Sequence, residues 1–144
     1  MRILITLVSL VLLAQPVDSA AQPSPPAYRV IVNPRNPARE VSRRFLASAF
    51  LKKTTSWSDG RPILPVDLAG RGKVRTAFSE AVLGRSVGAV RNYWTQQVFS
   101  GRNIPPPELS SDDAVVAYVL KHRGAVGYVS GTADIREAKL LTVR

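Results

Sequence analysis

The chain has 144 residues and no cysteine, and its 20 lysines and arginines against 10 acidic residues give a formal net charge of +10. The lack of cysteine excludes a disulfide scaffold, a thiolate metal site, a cysteine nucleophile and an anchor on an acylated cysteine. Hydrophobic residues make up 45% of the chain and charged residues 21%, a composition typical of a folded globular protein and not of a disordered one.

Residues 1–21 have the three-part layout of a secretory signal peptide. The positive start Met1-Arg2 precedes an apolar run from Ile3 to Ala14, and the small residues Ser19-Ala20-Ala21 follow. The run is shorter than the roughly 20 apolar residues that a transmembrane helix needs. We therefore expect export to a periplasmic or secreted location, with cleavage after Ala21 or one or two residues earlier. The alternative is an uncleaved N-terminal anchor.

The next residues predict a tail and then the first strand of a single domain. Residues 22–27 are polar and Pro-rich and are predicted to form an extended tail, and residues 28–144 are predicted to form one domain. The β-branched run Tyr28–Val32 stops at Asn33-Pro34, as a buried strand followed by a turn would.

A helix, a turn and a second strand are predicted next. Apolar residues recur at helical spacing from Phe45 to Phe50, and the Ser42 hydroxyl can cap the start of that helix. Trp57–Gly60 predicts a turn. Ile63–Val66 predicts a short strand, and Pro65 favours a position at the edge of a sheet because proline has no amide donor.

The clearest helical pattern in the chain follows that strand. Five apolar residues fall at i, i+3, i+4, i+7 and i+8 and form one stripe: Val74, Ala77, Phe78, Ala81 and Val82. Gly84 stands where a left-handed residue commonly ends a helix.

The last third of the chain predicts two more helices and the closing strands. One helix carries Val87, Val90, Trp94 and Val98 on a single side. A rigid Pro105–Pro107 connection leads to a helix started by Ser110 or Ser111, with Asp112 and Asp113 near the positive end of its dipole. The segments Gly124–Val129 and Leu140–Val143 predict strands. Because strands alternate with helices, we expect a three-layer α/β domain.

Several short motifs in one order resemble a known family, the phosphate-specific periplasmic receptors of ABC transporters, over nearly the whole predicted domain. The motifs are Phe50-Leu51-Lys52-Lys53, Trp57 with Asp59-Gly60, Pro65-Val66-Asp67, Arg75 with Phe78, Val82-Leu83-Gly84, Tyr93-Trp94, Phe99-Ser100-Gly101, Pro105-Pro106 and Gly124–Val129. The resemblance implies a type II periplasmic-binding-protein fold, in which two α/β lobes close on an anion. This chain has the length of a single lobe, so a second lobe, a second chain or a homodimer would be needed to close a cleft.

The resemblance breaks down at the expected phosphate loop. With Phe78 as the anchor, the Ser-Gly-Thr loop of the receptors falls on Gly72-Lys73-Val74, which has no hydroxyl group, and a nearby receptor arginine falls on Asp67. A carboxylate at that position would repel phosphate. These departures concern the ligand and leave the predicted fold intact.

The residues themselves still predict a candidate anion site at the start of the clearest helix. Gly70, Arg71, Gly72, Lys73 and Arg75 would place three cations and free backbone amides near one point. Arg75 can offer a planar fork to phosphate or to another small anion, whereas Lys73 acts as a point charge. The alternative is a solvated basic loop that contributes only to solubility.

No group of residues predicts catalysis, a cofactor or a metal site. His122 is the only histidine, so neither a zinc site nor a Ser-His-Asp triad has partners. Asp112 and Asp113 are explained by a helix start, and the basic residues are spread without a nucleic-acid groove. We therefore expect a non-catalytic module that binds phosphate or a similar anion and works in uptake or sensing with a membrane transporter. The alternative is an envelope interaction protein that keeps the receptor fold without phosphate binding, and a hydrolytic enzyme is the third hypothesis.

Overall fold

The computed structural model describes residues 23–144, which form a mixed α/β domain. The strands are β1 (Tyr28–Val32), β2 (Glu40–Val41), β3 (Leu64–Pro65), β4 (Asp67–Leu68), β5 (Glu108–Leu109), β6 (Ala125–Ser130), β7 (Lys139–Leu140) and β8 (Thr142–Val143). The helices are α1 (Arg43–Phe50), α2 (Lys73–Phe78), α3 (Val87–Phe99) and α4 (Asp112–Lys121). None of these helices is long and apolar enough to span a bilayer. The predicted signal peptide, and Gln22 of the predicted tail, lie outside the described residues.

The central sheet has the strand order β3-β6-β1-β7. Strand β1 pairs antiparallel with β6 over its whole length, from Tyr28 opposite Ser130 to Val32 opposite Val126, and with β7 on its other side. Strand β3 runs parallel to β6 at the edge. The structure confirms that Tyr28–Val32 is a buried strand and that Pro65 lies at a sheet edge.

Helices cover both faces of this sheet and so produce three layers. Successive residues of a strand point to opposite faces. On one face of β6, the rings of Tyr128 and Phe78 stack with centroids 3.8 Å apart, which places α2 there. Gly127 points to the other face, where α4 lies so close that an added Cβ atom would be 2.7 Å from Val115 Cγ1. The three-layer α/β prediction is confirmed.

The predicted helix boundaries are confirmed where local chemistry sets them. Ser42 Oγ accepts a hydrogen bond from the amide of Phe45 at 3.1 Å, and Ser111 Oγ accepts one from Ala114 at 3.1 Å. Each serine hydroxyl therefore caps the start of its helix. Gly84 adopts a left-handed φ of 63° at the end of the helical segment.

Two details of the sequence prediction are wrong, and one residue of a predicted helix side is exposed. The helix that begins near Val74 changes at Ser79 into a π-helical turn, Ser79–Leu83, where the Ser79 hydroxyl donates to the Arg85 carbonyl at 2.7 Å. Val98 is 52% exposed, because the end of α3 extends past the elements that bury its first half. The predicted strand Leu140–Val143 divides at Leu141: β7 pairs with β1, whereas β8 pairs parallel with β2.

Candidate functional site

Two short strands and one helix bring a buried arginine between two carboxylates. Strands β4 and β5 run parallel with Asp67 opposite Glu108. Arg75 of α2 places Nη2 3.0 Å from Asp67 Oδ2 and Nη1 2.6 Å from Glu108 Oε1, and Nη1 also donates to the Leu68 carbonyl. The Arg75 residue is only 3% exposed. Its guanidinium therefore already has carboxylate partners within the protein.

A tyrosine from the central sheet completes this cluster. The Tyr128 hydroxyl donates to Asp67 Oδ1, which also accepts from the Leu68 amide at 2.9 Å. Burial raises the pKa of the Asp67 carboxyl, while the Tyr128 hydrogen bond and the Arg75 charge oppose that rise. Burial and then the Asp67 charge raise the pKa of the Tyr128 hydroxyl. The hydroxyl therefore stays protonated and serves as a donor.

Next to this cluster lies a cleft between the starts of two helices, which we call the α2/α4 cleft. It has a volume of about 200 Å³. Its lining residues are Leu68, Ala69, Gly72, Lys73, Val74, Arg75, Ser110, Ser111 and Asp112. Gly72, the N-cap of α2, has no side chain to accept a hydrogen bond from the first amides of the helix. The cleft therefore combines amides that have no capping side chain with one exposed lysine.

The predicted anion-site residues separate into two groups in the structure. Gly72, Lys73 and Arg75 line the α2/α4 cleft, with Lys73 exposed and Arg75 buried in its ion pairs. Gly70, with a left-handed φ of 80°, and Arg71 lie in the exposed loop before it and are not among the lining residues. The expected convergence of three cationic side chains is therefore not observed.

The carboxylates near the cleft each have a protein partner. Asp112 accepts hydrogen bonds from the Ser130 amide at 3.2 and 3.3 Å, and it lies in the first turn of α4. Asp113 is exposed and lies 3.7 Å from Arg136. These positions agree with the prediction that both carboxylates serve the helix start. His122 ends α4, and its Nδ1 lies 2.9 Å from the Tyr118 carbonyl. No cluster of three potential metal ligands occurs within residues 23–144.

A second depression, which the sequence did not predict, lies on the other side of Arg75, and we call it the α3 groove. Its volume is about 420 Å³. Asp67, Arg75 and Glu108 contribute to it, and the remaining lining residues are Arg91, Trp94, Thr95, Val98, Phe99, Pro105 and Pro106. The Pro-rich segment was predicted to be a rigid connection, but nothing in the sequence signalled that it forms one wall of a groove with α3.

The fold agrees with that of phosphate receptors, although the sequence similarity is low. No protein-family model matches the sequence, and no curated protein is significantly similar to it. An ABC-type phosphate transport receptor from Vibrio cholerae matches 81% of this chain with a TM-score of 0.62 at 20% identity. PstS from Borrelia burgdorferi matches 82% with a TM-score of 0.61 at 11% identity. A Clostridium perfringens protein with bound phosphate, assigned as a phosphate ABC transporter substrate-binding protein, matches 81% with a TM-score of 0.60 at 18% identity.

The match covers only part of each receptor. This chain spans 46% of the Vibrio receptor, 47% of the Borrelia protein and 44% of the clostridial protein. The Vibrio protein is a transport receptor and the clostridial protein is a substrate-binding protein, so both belong to a class of binding proteins and not of enzymes. The resemblance predicted from the sequence motifs is thus confirmed for the fold: the chain folds like a single lobe of a phosphate ABC transporter substrate-binding protein.

Proposed function

We propose that this protein is a periplasmic or secreted, non-catalytic module that binds phosphate or a similar small anion at the α2/α4 cleft, for uptake or sensing. The similarity of its fold to that of phosphate receptors supports a binding role. The net charge of +10 favours an anionic ligand. The proposed export depends on the sequence of residues 1–21 alone.

One observation carries this proposal, the meeting of two helix starts at a cleft with space for a small anion. The α2 start lacks a capping side chain, and Ser110 and Ser111 bring hydroxyl groups from the α4 start. Free amides and the positive ends of helix dipoles favour an anion. Lys73 adds a full positive charge that has no ion-pair partner among the described residues.

The other predicted residues have supporting parts in this proposal. Gly70 allows the loop to turn with a positive φ, and Arg71 adds an exposed positive charge in the loop that leads to the cleft. Arg75 fixes the cleft wall through Asp67 and Glu108. A second copy of the chain, a separate lobe or a membrane transporter would have to supply the opposite wall.

A second candidate function has its own observation in favour. The α2/α4 cleft contains the Asp112 carboxylate, and the guanidinium of Arg75 is already paired with two carboxylates. Both features lower the affinity for an anion. The protein would then be an interaction module of the cell envelope that keeps the receptor fold and has lost phosphate binding.

Calorimetric titration with phosphate, and with sulfate as a control, separates the two functions. The anion-binding function predicts saturable phosphate binding that persists at near-physiological salt. Lys73→Gln removes the unpaired charge and should weaken binding by about tenfold or more. Lys121→Gln removes an equal charge from the opposite end of α4 and should leave the affinity unchanged.

Two results would reject the cleft as a phosphate site. One is the absence of binding heat, or weak heat that salt abolishes equally for phosphate and sulfate. The other is an equal loss of affinity in Lys73→Gln and Lys121→Gln, since that would report the overall charge of the protein and not a local site.

A further inference from the structure

The end of α3 and the loop after it expose three large apolar side chains, which we call the α3-end patch. Phe99 is 89% exposed, Ile104 is 67% exposed and Val98 is 52% exposed. Isolated exposed apolar residues are common on soluble proteins, but a contiguous group usually marks a binding surface.

Two neighbouring depressions show that the three side chains are contiguous. Val98 and Phe99 line the α3 groove of about 420 Å³. Val98 also lines a smaller depression of about 280 Å³ together with Ile104. Val98 is therefore a wall common to both, and the patch continues into the groove along Trp94 and Pro106.

The surroundings of the patch are basic. From Arg91 to Pro107 the chain has two arginines, Arg91 and Arg102, and no acidic residue. Arg91 lines the α3 groove and Arg102 lines the smaller depression. The side-chain amide of Asn103 donates a hydrogen bond to the Lys52 carbonyl at 3.5 Å. This contact brings the Lys52-Lys53 pair to the same end of the molecule.

The carboxylates nearest to the patch offset only part of this positive charge. Asp67 and Glu108 contribute to the α3 groove, but they share the Arg75 guanidinium, so the three residues together carry one formal negative charge. The arginines at the rim, Arg91 and Arg102, have no ion-pair partner among residues 23–144. The surface thus combines protruding apolar groups with unpaired positive charge.

This combination decides between the candidate occupants of the patch. A second copy of the chain would place the same basic rim against itself, because a two-fold interface joins identical surfaces. An anionic lipid surface accepts both features, since aromatic and aliphatic side chains enter the interface while arginines meet the headgroups. We propose that the α3-end patch docks this protein on anionic membranes. The docking surface is separate from the α2/α4 cleft and does not require anion binding there.

Co-sedimentation with vesicles tests the docking. One vesicle set contains equal parts of phosphatidylglycerol and phosphatidylcholine, and the other contains phosphatidylcholine alone. The full chain is expressed in a bacterial host that exports proteins, and the exported product is purified. Mass spectrometry establishes that every variant has the same N-terminus. We expect binding to the anionic vesicles and little binding to the zwitterionic ones.

Two double variants test the two features of the patch. Phe99→Ser with Ile104→Ser should weaken binding to anionic vesicles by about tenfold or more, because both side chains leave the interface. Arg91→Gln with Arg102→Gln should weaken it by about thirtyfold at low salt. The matched control Arg35→Gln with Arg123→Gln removes two exposed arginines elsewhere and should have a much smaller effect.

The same measurements can overturn the proposal. Unchanged binding of the Phe99→Ser, Ile104→Ser variant would mean that the basic protein merely adsorbs to negative charge. An equal loss in the Arg35, Arg123 control would mean the same. A chain that fails to bind vesicles but forms a dimer dissociated by the Phe99→Ser, Ile104→Ser change would assign the patch to a second copy. Equal circular dichroism spectra and urea midpoints across the variants ensure that a loss of binding is not a loss of fold.

Discussion

Asp67 is the residue at which the sequence motifs predict a departure from the phosphate receptors, because the resemblance implies an arginine there. In the structure, Asp67 is a carboxylate bonded to Arg75 and Tyr128. Glu108 binds the same guanidinium from the neighbouring strand. Arg75 therefore finds inside the protein the carboxylate partners that a bound anion would otherwise supply. The cluster acts first on stability, because removing one partner leaves the buried Asp67 or Arg75 side chain less well paired.

The Tyr128 hydroxyl gives a direct test of that stabilising role. Tyr128→Phe keeps the ring that stacks on Phe78 but removes the donor to the buried Asp67 carboxylate. We expect the free energy of unfolding, measured in urea, to fall by about 2 kcal/mol, the cost of a lost hydrogen bond to a charged group. The control is Tyr118→Phe, whose hydroxyl has no hydrogen bond to residues 23–144 and which should change stability little. Equal stability of Tyr128→Phe and the wild type would mean that the cluster contributes nothing to the fold.

Single residues also mark the limit of prediction from the sequence. The caps at Ser42 and Ser111 and the left-handed Gly84 are predictable, because the interactions that fix them lie within a few residues. The Arg75 ion pairs are not predictable in this way. They require β4 to pair with β5, and strands of two residues leave no periodic signal.

At the scale of elements, the contact between α4 and β6 determines how closely two layers approach. A Cβ atom at Gly127 would lie 2.7 Å from Val115 Cγ1 and 2.8 Å from Val66 Cγ1. These distances are shorter than side chains tolerate, so a larger residue would push α4 away from the sheet. The glycine lies in the middle of β6, where its lack of a side chain provides the space for the helix.

Alanine at two glycines should therefore have opposite effects. Gly127→Ala should lower the free energy of unfolding by about 1–3 kcal/mol, because it overpacks the α4 contact. Gly88→Ala lies in α3, where the added Cβ is 3.9 Å from Ser86 Oγ. It should raise stability by up to about 1 kcal/mol through helix propensity. Urea unfolding of both variants measures the difference. A stable Gly127→Ala variant would show that α4 can move freely on the sheet.

Elements also explain why Val98 is exposed, although it was predicted on the same side of α3 as residues that are buried. The apolar pattern of α3 correctly predicted that Val87, Val90 and Trp94 share a buried face. Helical spacing tells which residues lie on one face of a helix, but it does not tell where the neighbouring element ends. The last turn of α3 extends beyond the elements that pack against the rest of the helix, and Val98 is therefore part of an exposed patch.

At the scale of the whole molecule, the net charge and the size relative to the receptors decide how anion binding can be tested. With a net charge of +10, the basic residues repel one another and attract any anion, so weak anion binding alone carries little information. The chain spans less than half of the receptors it resembles in fold. A test of specific anion binding in this protein must therefore separate a local site from general screening of its charge.

Thermal unfolding in two sodium salts of equal ionic strength makes that separation. Chloride should raise the melting temperature by screening repulsion among the basic residues. Phosphate should raise it further, because a ligand that binds only the folded state adds stability by mass action. At ten times its dissociation constant, the ligand adds about 1.4 kcal/mol, or about 5 °C for a domain of this size.

The charge variants at the two ends of the helical layer identify the source of that extra stability. Lys73→Gln should keep the rise in chloride and lose most of the increment in phosphate, because its charge lies at the α2/α4 cleft. Lys121→Gln, at the far end of α4, should keep both. If the phosphate and chloride curves coincide for the wild type, screening explains the whole effect and the cleft is not a phosphate site. The protein would then act through a surface and not through an anion cleft. The α3-end patch is the candidate surface, because it combines positive charge with exposed apolar side chains.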